Sequence, residues 1–208
     1  MSDPLATALS DLEEATVMKL VQERVAAGID PLVILASCRE GMALVGQRYE
    51  AGEYFVSELI MAGEVFKGAV NLIGPGLTAG GGPKRGTVVA GTVKGDIHDI
   101  GKDIVVTLLR SANYDVRDLG VDVPVGKFVD TVKESGASVV SLSGLLTTSF
   151  DSMKETVAAL ETAGLRAKVK VMVGGGPVTD QVRVYVGADA YGQDAQAAVT
   201  LCNQWIGG

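Results

Sequence analysis

The 208 residues suffice for one ordinary domain plus a smaller one, and a composition that is 47% hydrophobic and 21% charged excludes a disordered chain. Asp and Glu number 25 against 18 Lys and Arg, and the resulting net charge of -7 argues against a nucleic-acid partner, which needs clustered cations to meet phosphates. Cys38 and Cys202 stand far apart with no Cys-x-x-Cys spacing, so neither a disulfide framework nor a thiolate metal site is expected; without a charged-then-apolar leader or a long apolar run, the expectation is a cytoplasmic protein with no membrane partner.

In chain order, a short helical piece spans Pro4 to Leu9. Apolar residues at Leu12, Ala15, Val17, Leu20, Val21 and Val25 then recur at helical spacing until Gly28. A second long helix opens at Asp30-Pro31, a capping residue followed by proline at the first helical position, and reaches about Tyr49. A third runs from Ser57 to Ile73, which predicts a small helical bundle over residues 1–74. The Gly/Pro-dense stretch from Gly74 to Lys84 predicts a linker, taken as 75–86. Its Gly74-x-Gly76 follows a helix and not a strand, so it is no dinucleotide fingerprint.

From residue 87 to 208 strands alternate with helices. Strands are expected at Thr87–Val93, Asp115–Leu119, Ser138–Ser143, Lys170–Val173 and Ala188–Tyr191; helices at Lys102–Ser111, Val125–Glu134, Asp151–Ala163, Thr179–Val186 and Asp194–Trp205. Strands each followed by a helix predict an α/β fold, a flavodoxin-like doubly wound five-stranded parallel sheet in the order 2-1-3-4-5. The binding site is expected at the switch between the first and third strands.

There lies Gly95-Asp96-Ile97-His98-Asp99-Ile100-Gly101, a strand-to-helix loop carrying the only histidine of the chain. A neutral imidazole ligates metal best when its second ring nitrogen is bonded to a carboxylate, and Asp96, two residues back, is placed for that. One histidine cannot close a zinc site, so a metal held here must bring most of its own ligands, as a tetrapyrrole-like cofactor does. A P-loop is excluded, since five residues separate the glycines and Lys102 is followed by Asp103. Magnesium on Asp96, Asp99 and Asp103 is the simpler metal alternative. The third strand leads into Ser141-Leu142-Ser143-Gly144-Leu145-Leu146-Thr147-Thr148-Ser149, and the fourth into Gly174-Gly175-Gly176, glycines that mark a turn or the close approach of a ligand.

Asp96-x-His98-x-x-Gly101 resembles the Asp-x-His-x-x-Gly signature of cobalamin-binding domains, in which the histidine replaces the cofactor's own base beneath cobalt. The resemblance implies cobalamin (methylcobalamin or another corrinoid) bound base-off/His-on, with His98 the ligand to cobalt. It implies contacts from Gly95, Asp96, Ile97, Asp99 and Gly101 in the loop. Ser143, Leu145 and Thr147 would line the nucleotide tail, Gly174, Gly175 and Gly176 would make room for the displaced base, and a His98-Asp96-Ser149 hydrogen-bond relay would serve the ligand. The helical stretch Arg48 to Phe66 resembles the cap of methylcobalamin-dependent proteins, which implies that Phe55, Met61 and Val65 cover the upper face of cobalt.

Cap, linker and cofactor domain in that order look like the stand-alone corrinoid protein of a multi-component methyltransferase system, similar to the cap-plus-cobalamin modules of methionine synthase. Such a chain is a methyl-carrier component and not a stand-alone enzyme. Its implied partners are a donor-specific methyltransferase, an acceptor methyltransferase using tetrahydrofolate or coenzyme M, and a reductive activator. Among donors the lean is to aromatic O-demethylation. The cobalamin-binding subunit of a carbon-skeleton mutase and a cobalamin-dependent sensor or regulator are the alternatives.

Overall fold

Residues 3–73 and 84–206 are described by the computed structural model of the chain, so most of the expected 75–86 linker lies outside the described residues. The chain divides into two units, Met1–Pro83 with Ser111–Asn113, and Lys84–Arg110 with Tyr114–Gly208.

The first unit holds α1 (Pro4–Ser10), α2 (Glu14–Ala26), α3 (Pro31–Glu50) and α4 (Val56–Ile73). Local chemistry sets two of the starts: Asp3 and Asp30 each stand before a proline and accept the amide two residues on, Leu5 and Leu32, at 2.8 Å. Leu12, expected as the first apolar position of the second helix, instead takes a φ of 61° in the turn leaving α1, so α2 begins only at Glu14. α1 and α4 both pack on α3, and α2 packs on α4. Leu5, Leu9, Val17, Val21, Ile34, Val45, Leu59, Ala62 and Val65 form the buried interior.

The second unit alternates β1 (Thr87–Thr92), α5 (Ile100–Ser111), β2 (Asp115–Asp118), α6 (Val125–Ser135), β3 (Val139–Ser143), α7 (Ser149–Thr162), β4 (Lys170–Gly174), α8 (Asp180–Val186), β5 (Ala190–Gly192) and α9 (Ala195–Ile206). All strands are parallel in the order β2-β1-β3-β4-β5, the doubly wound arrangement expected from the alternation. Val89, Val140 and Val171 form one register row and pack with Phe128, Met153, Val157 and Leu160; Val88, Val139 and Met172, on neighbouring positions, are also buried. Burial on both faces explains the continuous apolar strands. Thr92, Ser143, Gly174 and Gly192 form the last row, at the carboxyl edge. No described helix is long and apolar enough to cross a membrane.

Candidate functional site

β1 ends in the middle of the sheet, and the loop after it carries Asp96 and His98. Gly95 turns the chain with a φ of 85°, the Asp96 amide donates back to the Val93 carbonyl at 3.1 Å, and the Thr92 hydroxyl donates to the His98 carbonyl at 2.9 Å. Asp96 is fully buried; its Oδ1 meets His98 Nδ1 at 2.7 Å and accepts the His98 amide at 3.0 Å, while Oδ2 accepts the Leu145 and Leu146 amides at 2.6 and 3.0 Å. Burial alone would push the carboxyl up, but the bonds from Leu146, His98 and Leu145 outweigh it and hold the group at about 2. An ionised carboxylate can only accept, so Nδ1 donates to it, and in the neutral imidazole Nε2 presents a lone pair on a side chain that is half exposed.

Ser149 does not complete the expected relay. It lies in the first turn of α7, and its buried hydroxyl donates to the Leu146 carbonyl at 2.5 Å, while Asp96 is already engaged by three peptide N–H groups and the His98 imidazole. The link from Ser149 to Asp96 therefore passes through the Leu146 peptide. Leu145 and Leu146 are about two-fifths exposed, and Ile97 and Ile100 carry exposures of 72% and 70%, an apolar surround that costs free energy while it faces water. Ser143 is half-buried at the end of β3, whereas Thr147 and Asp99 are exposed. Gly101 opens α5 with nothing near its missing Cβ.

The glycines after β4 differ in kind. A Cβ on Gly175, whose φ is 138°, would lie 1.9 Å from the Gly144 carbonyl oxygen, so the protein's own backbone requires glycine there. Gly174 and Gly176 are less confined, a Cβ meeting only the Gly192 carbonyl at 3.7 Å and Leu145 Cδ1 at 3.2 Å respectively. The Gly144 amide also donates to the Gly174 carbonyl at 3.1 Å, so the loops after β1, β3 and β4 are joined into one surface.

Phe55, Met61 and Val65 belong to the helical unit. Phe55 and Met61 are exposed, 71% for Phe55, and the Phe55 amide is fixed by Glu58 Oε2 at 2.8 Å. Val65 is a correction: at 2% exposure it fills the interior of the bundle and has no surface to offer a cofactor. Arg48 pins the preceding loop, donating to the Ser10 carbonyl and the Tyr54 hydroxyl, each at 2.8 Å.

The magnesium alternative also fails, because Asp96 is spent on hydrogen bonds and Asp103 is paired with the buried Lys102. No group of three or more metal-ligating side chains occurs among the described residues. A metal at His98 must therefore arrive with its other ligands, and a free imidazole nitrogen, an exposed apolar surround and bare backbone at Gly174 and Gly176 fit a macrocycle of that kind. Sequence reasoning missed Thr92, Leu146, Asp122 and the pair Lys102–Asp118, all of which hold the loop; the acidic residues flanking Gly120 just after a strand were the available signal.

Known proteins resemble the chain over both of its units. A family model described as B12 binding domain matches residues 86–200, and a second of the same description matches residues 1–73. A dimethylamine corrinoid protein of Methanosarcina acetivorans is 37% identical over 202 residues, covering 97% of this chain and 95% of that one. The crystal structure of a cobalamin-binding protein from Desulfitobacterium hafniense is similar at a TM-score of 0.80 and 41% identity, covering 97% of each chain. A chain of the methanol:cobalamin methyltransferase complex of Methanosarcina barkeri reaches a TM-score of 0.83 at 31% identity, covering 99% of this chain and 79% of that one. The chain thus belongs to the family of B12-binding corrinoid proteins and takes a corrinoid as its cofactor.

Proposed function

We propose that this protein carries a methyl group from a donor-specific methyltransferase to a second methyltransferase, using tetrahydrofolate or coenzyme M as final acceptor, with a reductive activator as third partner. The observation that carries the reading is an imidazole with Nδ1 held by an ionised Asp96 and Nε2 free, with no group of three or more metal-ligating side chains among the described residues. When bound, the corrinoid supplies a cobalt centre able to take up and release a methyl group.

In this reading His98 Nε2 would hold the cobalt, with the cofactor base-off/His-on. Asp96 keeps the proton on Nδ1 and makes Nε2 more basic. The Leu145 and Leu146 amides stabilise the negative charge that Asp96 needs for this. Ser143, Leu145 and Thr147 face the tail, with Gly174 and Gly176 leaving space for the displaced base. Phe55 and Met61 would cover the bound methyl group in this reading, excluding water and holding a light-generated methyl radical close enough to recombine. Asp96 and the three loops bind, orient and hold; selection of donor and acceptor falls to the partner enzymes.

Of the donor classes, methylamines stand beside the aromatic O-methyl compounds favoured on sequence alone. The relative described above is a dimethylamine corrinoid protein, which supports a methylamine donor. Loading assays with methylamine-specific and O-demethylating methyltransferases in parallel decide between them.

Reconstitution of His98→Ala with hydroxocobalamin tests the core of the reading. The variant binds more weakly and shows a base-off spectrum without the histidine signature. An unchanged His-on spectrum and affinity refutes the assignment.

A further inference from the structure

We infer that Asp122 is a positioning residue for the His98 ligand, and that the loop from Asp118 to Val123 acts as a brace on both sides of it; this rests on His98 being the cobalt ligand. Asp122 lies in the loop between β2 and α6, exposed, with a φ of 49°. A left-handed conformation is costly for a residue with a side chain and persists where the surrounding bonds enforce it. Here those bonds run to the cofactor loop. Asp122 Oδ1 accepts the Gly95 amide at 2.7 Å, and the Asp122 amide donates to the Asp96 carbonyl at 2.9 Å. One residue thus holds the N–H of Gly95 and the C=O of Asp96, consecutive residues immediately before the Ile97-His98 pair, the second being the one whose carboxylate orients the imidazole.

The brace is itself anchored. Leu119 donates to the Ala90 carbonyl at 2.8 Å, Thr92 donates to the Gly120 carbonyl at 2.9 Å, and Val123 donates to the Thr92 carbonyl at 3.0 Å, so the loop continues the ladder of β1 beyond the end of β2. At its start, Asp118 receives the Lys102 ammonium on both oxygens at 2.8 and 2.9 Å and accepts the Gly120 amide at 3.0 Å. Lys102 is nearly fully buried and stands in the first turn of α5, four residues after His98. The segment carrying the ligand is gripped before His98 by Asp122 and after it by Asp118. Asp122 does not cap α6, which starts after Pro124 without a side-chain bond. Its carboxylate is directed to the ligand loop instead.

Asp122→Gly keeps the backbone conformation and the main-chain bond but removes the acceptor for Gly95, while Asp122→Asn keeps both. The readouts are amide hydrogen exchange at Gly95 in the cofactor-free protein and the ratio of His-on to His-off spectra after reconstitution with hydroxocobalamin, with the thermal midpoint as a fold control. For Asp122→Gly the Gly95 amide exchanges faster and the His-on ratio falls about tenfold, the loss expected for one hydrogen bond. Asp122→Asn restores both, and the midpoint of each variant stays close to the parent's. An unaltered Gly95 exchange rate, or an unaltered His-on ratio while His98→Ala abolishes the histidine signature, overturns the proposal. If His98→Ala leaves that signature intact, the ligand assignment fails first and the positioning role falls with it.

Discussion

Replacing Gly175 with alanine separates what the fold requires from what the cofactor requires. The new Cβ would sit 1.9 Å from the Gly144 carbonyl oxygen and 2.9 Å from its carbon, at a φ of 138°. The backbone conformation costs a residue with a side chain about 1–3 kcal/mol, and forcing a methyl against packed backbone costs about 1–3 kcal/mol more. A loss of roughly 2–6 kcal/mol is a large part of the ~5–15 kcal/mol that holds a domain together. At about 4 °C per kcal/mol for a unit of this size, the thermal midpoint falls by on the order of 10–20 °C. Trp205, the only tryptophan, lies in α9 of the same unit, so its emission during heating of the cofactor-free protein follows that unit selectively. Gly176→Ala is the control, because its Cβ meets only the end of the Leu145 side chain, at 3.2 Å, and a rotamer change relieves it. A midpoint for Gly175→Ala within about 2 °C of the parent would refute the reasoning, since even the smaller contribution predicts more.

Phe55→Ala leaves the stability of the helical unit within about 0.5 kcal/mol, since an exposed side chain loses little packing, yet it speeds photolysis of the bound methylcorrinoid. Val65→Ala does the reverse, costing about 1–3 kcal/mol in urea unfolding with photolysis unchanged. Asp3 is held well below the usual carboxylate range by the Arg24 guanidinium, helped by the Ser37 hydroxyl and the Leu5 amide. Its lowered value means a contribution to stability that is complete above the unfolded value of about 3.9 and is lost as pH falls through the folded value. Asp3→Ala therefore lowers the urea midpoint of the helical unit at pH 7 and flattens its acid dependence below about pH 4; an unchanged acid limb counts against the ion pair.

The fold was legible where local rules act alone. β-branched runs between glycines and polar loops located the strands, and Asp30 before Pro31 located α3, because both signals depend on neighbours in sequence. Leu12 was misplaced because its apolar spacing continues the helical pattern although its backbone turns. In α4 the apolar residues Ile60, Met61, Val65 and Phe66 occur on several sides, so spacing alone did not separate the buried Val65 from the exposed Met61. The His98 loop was readable as a ligand site from its own composition. Ser149 was misassigned because its hydroxyl is taken by a carbonyl three residues back, and the grip of Asp122 and Asp118 was missed because those bonds span 27 and 16 residues.

The bonds to the buried carboxylate of Asp96 also order events during biosynthesis. Its Oδ2 is satisfied by amides 49 and 50 residues further along, which belong to the turn after β3. A growing chain that has made β1, α5 and β2 already contains the whole Asp96-to-Gly101 segment, but its carboxylate still lacks two of its hydrogen-bond donors. The ligand loop can take its final form only when Leu145 and Leu146 have emerged and β3 has docked beside β1. With His98 as the proposed ligand, capture of the corrinoid would be tied to completion of the sheet centre, and a chain interrupted before that point would have the signature residues without the arrangement that holds them.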